Sequence, residues 1–354
     1  MVRLVDLRNS APPPSLEVVV KASAAAELAR LLGLLYTEPP GEYDVGQERI
    51  DAIRETVPEE VAAELAALRC GPLDYFNLPL LAADLPHPAG IEELLARLRG
   101  DLTVTWRLFL SLAARYNDEL GATIAERILA GDDAAIEQVR NLASTDEQTR
   151  AFIDLDPEEH GRRMIRLIEA FDDRVFSKLA AEAMGPIERD AAHRLERLAA
   201  GVDPQTVILE ATNGYEPSTD AGLRRVVLLP SYWMRPWLLL AESGGDTEVI
   251  STVVADEFLV LPSEEPPPAL IKLTKALADA SRLRLLRRMA SGPISLSQAS
   301  EALDVTKATA HHHLSILRQA GLVAMRGSGR STRYSLRADP AEAAHTALAE
   351  YGSP

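Results

Sequence analysis

The stretch Thr306-Lys-Ala-Thr-Ala-His-His-His-Leu-Ser-Ile-Leu-Arg-Gln-Ala-Gly-Leu-Val323 decides how this 354-residue chain is read. It follows a short helical signal, Leu296-Ser-Gln-Ala-Ser-Glu-Ala-Leu303, with only Asp304 and Val305 between them. Two compact helices joined by a tight turn, the second opening on small polar residues and a lysine, form the layout of a DNA-reading helix-turn-helix. A strand-turn-strand, Val323 to Leu336, comes next and carries Arg326, Arg330 and Arg333. It reads as a wing.

Helical geometry sorts the second helix into two sides. At ~100° per residue, Ala310, His313, Leu314 and Leu317 fall together and are expected to pack inward. Ala308, His311, His312, Ser315 and Gln319 fall on the other side, with Lys307 at the N-terminal flank. That side offers the donors, acceptors and small residues that suit base edges in a major groove. Thr306 is the natural N-cap, and the helix N-terminus it caps suits a phosphate. The DNA-facing candidates are therefore Thr306, Lys307, Ala308, Thr309, His311, His312 and Ser315 on helix 306–319, and Arg326, Arg330 and Arg333 on wing 323–336. A metal reading of His311-His312-His313 fails on geometry, because adjacent helical side chains point ~100° apart and three in a row cannot converge on one ion.

Outward from this pair, Leu270–Ala278 and Arg282–Ala290 read as supporting helices, with Ser281 as the N-cap of the second. Ile294 reads as a short strand completing the wing sheet, and Ser295 or Ser297 as the cap of the next helix. Between Pro268 and Ala338 stand twelve Lys and Arg against three acids, a local charge of +9 in a chain of net charge −16, which leaves −25 for the remainder. Net acidity alone argues against a nucleic-acid partner. Its distribution argues for one, because a basic module joined to an acidic one separates the part that meets phosphate from the part that must not.

Leu277-Ala-Asp-Ala-Ser-Arg-Leu-Arg-Leu-Leu286, followed by the run from Thr306 to Val323 with His312-His313-Leu314 and Gln319-Ala-Gly-Leu-Val323, resembles the ArsR-type winged-helix regulators of prokaryotes. The match spans roughly 70 residues, and the large preceding region resembles a long-chain subgroup with an added N-terminal domain. The resemblance implies a homodimer, a palindromic double-stranded DNA operator and repression relieved by an effector. It also implies groove-facing positions for Lys307, Ala308, His311 and His312. The cysteine pair carried by metal-sensing relatives in the first helix of the pair is absent; Ser295, Ser297 and Gln298 stand there.

The remaining chain sets the architecture. Leu261-Pro-Ser-Glu-Glu-Pro-Pro-Pro268 marks a stiff, proline-rich boundary, and Pro12-Pro13-Pro14 sets off a short leader. From about Ala22 to Gly201 the pattern is helical, with Pro58-Glu-Glu60 and Asp156-Pro-Glu-Glu159 as start signals and Asp101 as a cap before Leu102–Tyr116. After Gly222 come three short apolar runs, Arg225–Leu229, Trp237–Leu240 and Val249–Val254, with Gly244-Gly245-Asp246 as a turn between the last two. These predict a small antiparallel sheet at about 223–256, joined by a strand near Val18. The expected class is mainly α with small β elements: an N-terminal regulatory and dimerisation domain over 1–262, a linker at 263–268, a winged helix-turn-helix over 269–338, and a C-terminal helix over 339–354 as a dimer contact.

Tyr232, Trp233 and Trp237 are the aromatic candidates for lining a small-molecule effector pocket, against the plainer reading as core. Asp339, Glu342 and His345 recur at spacing three on the last helix, more simply a solvated face than a metal site. No phosphate-binding glycine loop, Gly-x-Ser-x-Gly elbow, His-Glu-x-x-His pair or dinucleotide fingerprint occurs, so no catalytic residue, metal or cofactor is assigned. No apolar run approaches ~18 residues, so no membrane partner is expected, and the single cysteine, Cys70, points to a cytoplasmic setting. The function expected is a sequence-specific transcriptional regulator, a homodimeric repressor. The alternatives are a metal-responsive repressor and an enzyme or ligand-binding protein with an appended DNA-binding module.

Overall fold

The computed structural model describes residues 16–37, 43–71, 74–86, 90–117, 119–142, 145–217, 222–242, 246–259, 266–327, 332–337 and 340–351. Pro12–Pro14, Gly244–Gly245, most of the proline-rich boundary, Arg330 and Asp339 lie outside these residues. The strands are β1 (Glu17–Val20), β2 (Tyr215–Glu216), β3 (Arg225–Ser231), β4 (Leu239–Glu242), β5 (Thr247–Val253), β6 (Val323–Arg326) and β7 (Arg333–Leu336).

The larger unit is built around helix Ala24–Tyr36. It is buried on nearly every side, as its run of Ala and Leu dictates, and Ser23 caps it by accepting from Ala26 N at 3.0 Å. Its polar residues are used internally. Glu27 accepts the backbone N–H groups of Tyr232 and Trp233, both at 2.9 Å, and Arg30 donates to the Phe76 carbonyl. Asp156 caps helix Pro157–Phe171 through Glu159 N at 2.7 Å, as its Asp-Pro-Glu-Glu signature predicts. This helix runs on through one π turn, Asp172–Phe176, into Ser177–Ala199. It crosses the Leu102 backbone so closely that a Cβ on Gly161 would lie 1.8 Å from the Leu102 carbonyl oxygen. Asp101 does not cap Val104–Arg115 directly; it accepts from Thr103 N and Oγ1 one turn earlier.

The sheet of this unit has the order β1-β3-β5-β4, and the strand near Val18 joins it as expected. Its direction corrects the antiparallel expectation. β1 pairs parallel with β3 and β3 parallel with β5, leaving only β4–β5 antiparallel. The reason is visible in Val226, Val227, Leu228 and Leu229, all at most 1% exposed. A strand covered on both faces carries an unbroken apolar run rather than an alternating one, and such strands belong to parallel sheets.

The C-terminal module has its own core, in which Leu273, Leu286, Met289, Ala310, Leu314, Leu317 and Tyr334 meet. Helices Pro268–Leu277 and Ala280–Met289 support helices Leu296–Leu303 and Lys307–Gln319, followed by β6, β7 and helix Pro340–Tyr351. Asp279, not Ser281, caps the second supporting helix, accepting from Arg282 N at 2.9 Å. Ile294 pairs with Tyr334 as the expected short strand.

Two seams bind the units. In the first, Lys272 reaches Asp44 at 2.9 Å and Asp256 at 3.5 Å, carboxylates that also hold the buried Arg235. In the second, β2 from the larger unit adds parallel to β6, so the wing sheet has three strands, β2-β6-β7, rather than two. Gly214 makes the approach at φ +103; a Cβ there would meet the Val323 oxygen at 2.9 Å.

Candidate nucleic-acid interface

The helix pair is assembled by local chemistry. Ser295 and Gln298 form a capping box on helix Leu296–Leu303, with the side chain of each accepting the backbone N–H of the other. Asp304 closes that helix at φ 55, a left-handed turn that an aspartate tolerates. Thr306 then caps Lys307–Gln319 by accepting from Thr309 N at 3.2 Å. Gly321, at φ +73, ends the helix, and Leu322 N returns to the Leu317 carbonyl at 3.0 Å.

The angular sorting holds with two corrections. Ala310, Leu314 and Leu317 are fully buried, and His313 is mostly covered, its Nδ1 3.9 Å from Asp279. Thr306, Lys307, Ala308, Thr309, His311 and His312 are exposed. Ser315, expected on the groove face, is only 8% exposed and lines a cleft facing the N-terminal unit. Arg318, counted among the basic residues of the module, is 7% exposed and donates to the Thr212 carbonyl at 2.7 Å, so it serves the seam rather than phosphate. Beside it Asn213 Nδ2 donates to the Gln319 carbonyl, and Arg337 donates to Asn213 Oδ1, both at 2.7 Å.

On the wing, Arg326 and Arg333 stand opposite one another in the β6–β7 register and both are exposed. Arg284, Arg287 and Arg288 are exposed on a supporting helix, whereas Arg282 turns back to the carbonyls of Lys275 and Ala276. Desolvation by their surroundings pushes the His311 and His313 imidazoles below the usual histidine value.

Between the recognition helix and the larger unit lies a cleft of about 900 Å³. Lys307, His311 and Ser315 form one wall, and Arg115, Tyr116 and Trp237 are among the residues of the other. The three aromatic candidates separate here. Trp233 is wholly in the core, Tyr232 is partly buried with its hydroxyl donating to Glu182 at 3.1 Å, and Trp237 alone reaches the cleft. Sequence reasoning missed Arg115 and Tyr116, which lie some 120 residues from Trp237 with nothing local to link them.

Burial drives His160 down to about 4, with Nε2 against the Leu68 carbonyl at 2.9 Å. Burial pushes the Cys70 thiol up to about 12. Glu342 and His345 are exposed on the last helix, and among the described residues no three His, Cys, Asp or Glu side chains are grouped to hold a metal ion. No helix among them is long and apolar enough to cross a membrane.

A family profile described as "Helix-turn-helix domain" matches residues 277–326. The chain is 40% identical over 70 residues to the uncharacterized HTH-type transcriptional regulator YceK of Bacillus subtilis, covering 70% of that protein and 19% of this one. This chain belongs to the ArsR-type helix-turn-helix transcriptional regulators. Other relatives of this regulator are the HTH-type transcriptional regulator CmtR of Mycobacterium tuberculosis, 38% identical over 77 residues, and a transcriptional repressor SmtB homolog of Synechocystis, 41% identical over 61. The match covers 65% of CmtR and 22% of this regulator, and 46% and 17% for the SmtB homolog. All of these likenesses lie in the C-terminal module. No solved structure matches the regulator significantly.

Proposed function

We propose that the regulator is a cytoplasmic, homodimeric, sequence-specific DNA-binding repressor whose N-terminal unit carries the response to a small-molecule effector. One observation carries the DNA reading. A capped helix is locked from behind by Ala310, Leu314 and Leu317 and presents Lys307, Ala308, Thr309, His311 and His312 to solvent, beside a wing bearing Arg326 and Arg333. In this reading the helix enters the major groove, and the wing arginines, with Arg330, hold the backbone.

The dimer is supported by apolar side chains left uncovered in the module. Ile271, Leu283, Leu348 and Tyr351 are 39–54% exposed on its supporting and last helices. Joining two such faces would present two recognition helices about one DNA turn apart, ~34 Å. Selection from a pool of random duplexes tests the whole reading: the protein should enrich an inverted repeat, and the Lys307→Ala, His312→Ala double variant should bind it weakly and with blurred preference. Enrichment of no sequence, or an unchanged preference in the double variant, would remove this helix from the role.

A further inference from the structure

The recognition helix does not stand clear of the rest of the molecule. Lys307 and His311, two of the residues read as facing DNA, form with Ser315 a wall of the cleft whose far side includes Arg115, Tyr116 and Trp237. At about 900 Å³ the cleft is in the range that holds small molecules. Its chemistry is specific. Arg115, Lys307 and the buried Arg318 outnumber its one acid, Glu248, which faces the Tyr215 hydroxyl at 2.6 Å. Lys307 has no ion pair among the described residues, and Tyr116, at the end of a core helix, is 63% exposed at the cleft. Cations set among aromatic faces suit a ligand with a flat apolar body and a negative end.

We propose that this cleft is the effector site and takes a small aromatic carboxylate, its ring between Tyr116 and Trp237 and its carboxylate toward Lys307 and Arg115. The regulatory half of this inference rests on the DNA-binding reading above. DNA and ligand both need Lys307. A helix seated in a groove ~12 Å wide also needs both flanks free, whereas the cleft keeps the N-terminal unit against one of them. The ligand therefore stabilises the closed arrangement at the expense of the open, DNA-binding one, and by linkage DNA expels the ligand.

The three tryptophans supply the readout. Trp106 and Trp233 are 4% and 0% exposed in the N-terminal core, and Trp237 lines the cleft. In full-length protein labelled at tryptophan, indole-3-acetate and benzoate should shift the Trp237 indole N–H resonance, assigned through Trp237→Phe, and leave the other two in place. Neutral indole should bind more weakly, and Tyr116→Ala and Lys307→Gln should each raise Kd about tenfold. A Trp237 signal that neither carboxylate moves, or equal binding by the Tyr116→Ala protein, overturns the site. Saturating carboxylate should also weaken binding to the selected duplex about tenfold, and an unchanged DNA affinity overturns the competition. Failure to bind any duplex sinks the DNA reading instead, and the resonance shifts still decide the cleft.

Discussion

The two halves of the regulator are made by different means. In the C-terminal module, about 70 residues long, each element is begun, ended and joined to the next by neighbours: the Ser295–Gln298 capping box, Asp304 in the turn, Thr306 as cap, Gly321 as stop. In the N-terminal unit the decisive pairings are remote. Val18 lies beside Val226, and Tyr232 and Trp233 are held by Glu27. Local construction gives a reading head whose helices are set by their own neighbours in sequence. Remote construction gives a unit whose shape depends on the whole chain, and the cleft exists only where the two meet.

The contrast between the halves can be broken most forcefully at the module's core. Leu314 is fully buried, so Leu314→Ala should destabilise the module by about 4 kcal/mol. All three tryptophans belong to the other unit, so tryptophan fluorescence in a urea titration should report a later transition than loss of the folded amide resonances of helix Lys307–Gln319. A single transition, lowered equally for both probes, would mean the halves fold as one.

The next effect belongs to the N-terminal unit alone. His160 has a folded-state pKa of about 4 against an ordinary 6.5, so the unfolded chain takes up its proton first as pH falls. Its contribution is complete above pH 6.5 and is lost as pH falls toward 4, amounting to about 3 kcal/mol. Burial raises the Asp74 carboxyl of the same unit to about 7, with the opposite effect over this window, so the His160 share is read as a difference: from pH 6.5 to 4 the urea midpoint followed by tryptophan fluorescence should lose more, or gain less, in the parent than in His160→Gln. The same difference between parent and variant in the module midpoint would contradict the separation.

Smaller again is the seam. Asn213→Ala removes two hydrogen bonds to the module and places alanine at φ 49, at a cost of about 1–2 kcal/mol, whereas Asn213→Gly removes the bonds without the backbone strain. Both should widen the gap between the two unfolding transitions. Least of all for stability is Arg326→Ala on the exposed wing. It should leave both midpoints in place and lower the salt dependence of DNA affinity by about one unit of slope, measured by anisotropy across salt concentrations.

The difference in construction also explains what is legible in the sequence. The recognition helix, its cap at Thr306, its inward set and the strand at Ile294 follow from periodicity and capping, which act over a few residues. Arg318 escapes such reasoning because the carbonyl that holds it, that of Thr212, is some hundred positions away. Strand positions are legible from apolar runs, but their parallel direction is not, since turn signals describe only adjacent segments. Trp237 stands out for its neighbours in sequence, and its partners in the cleft are neighbours only in space.

The short strand Tyr215–Glu216 has a practical consequence for anyone dividing this molecule. A fragment starting at the proline-rich boundary would carry every residue of the reading head and still lack a strand of its wing. Met325 N and Gly327 N, now satisfied by the carbonyls of Gly214 and Glu216, would face water along an uncovered edge, an invitation for another chain to add itself there. Self-association of such a fragment would then be an artefact of the cut, and supplying residues 212–217 as a peptide should suppress it.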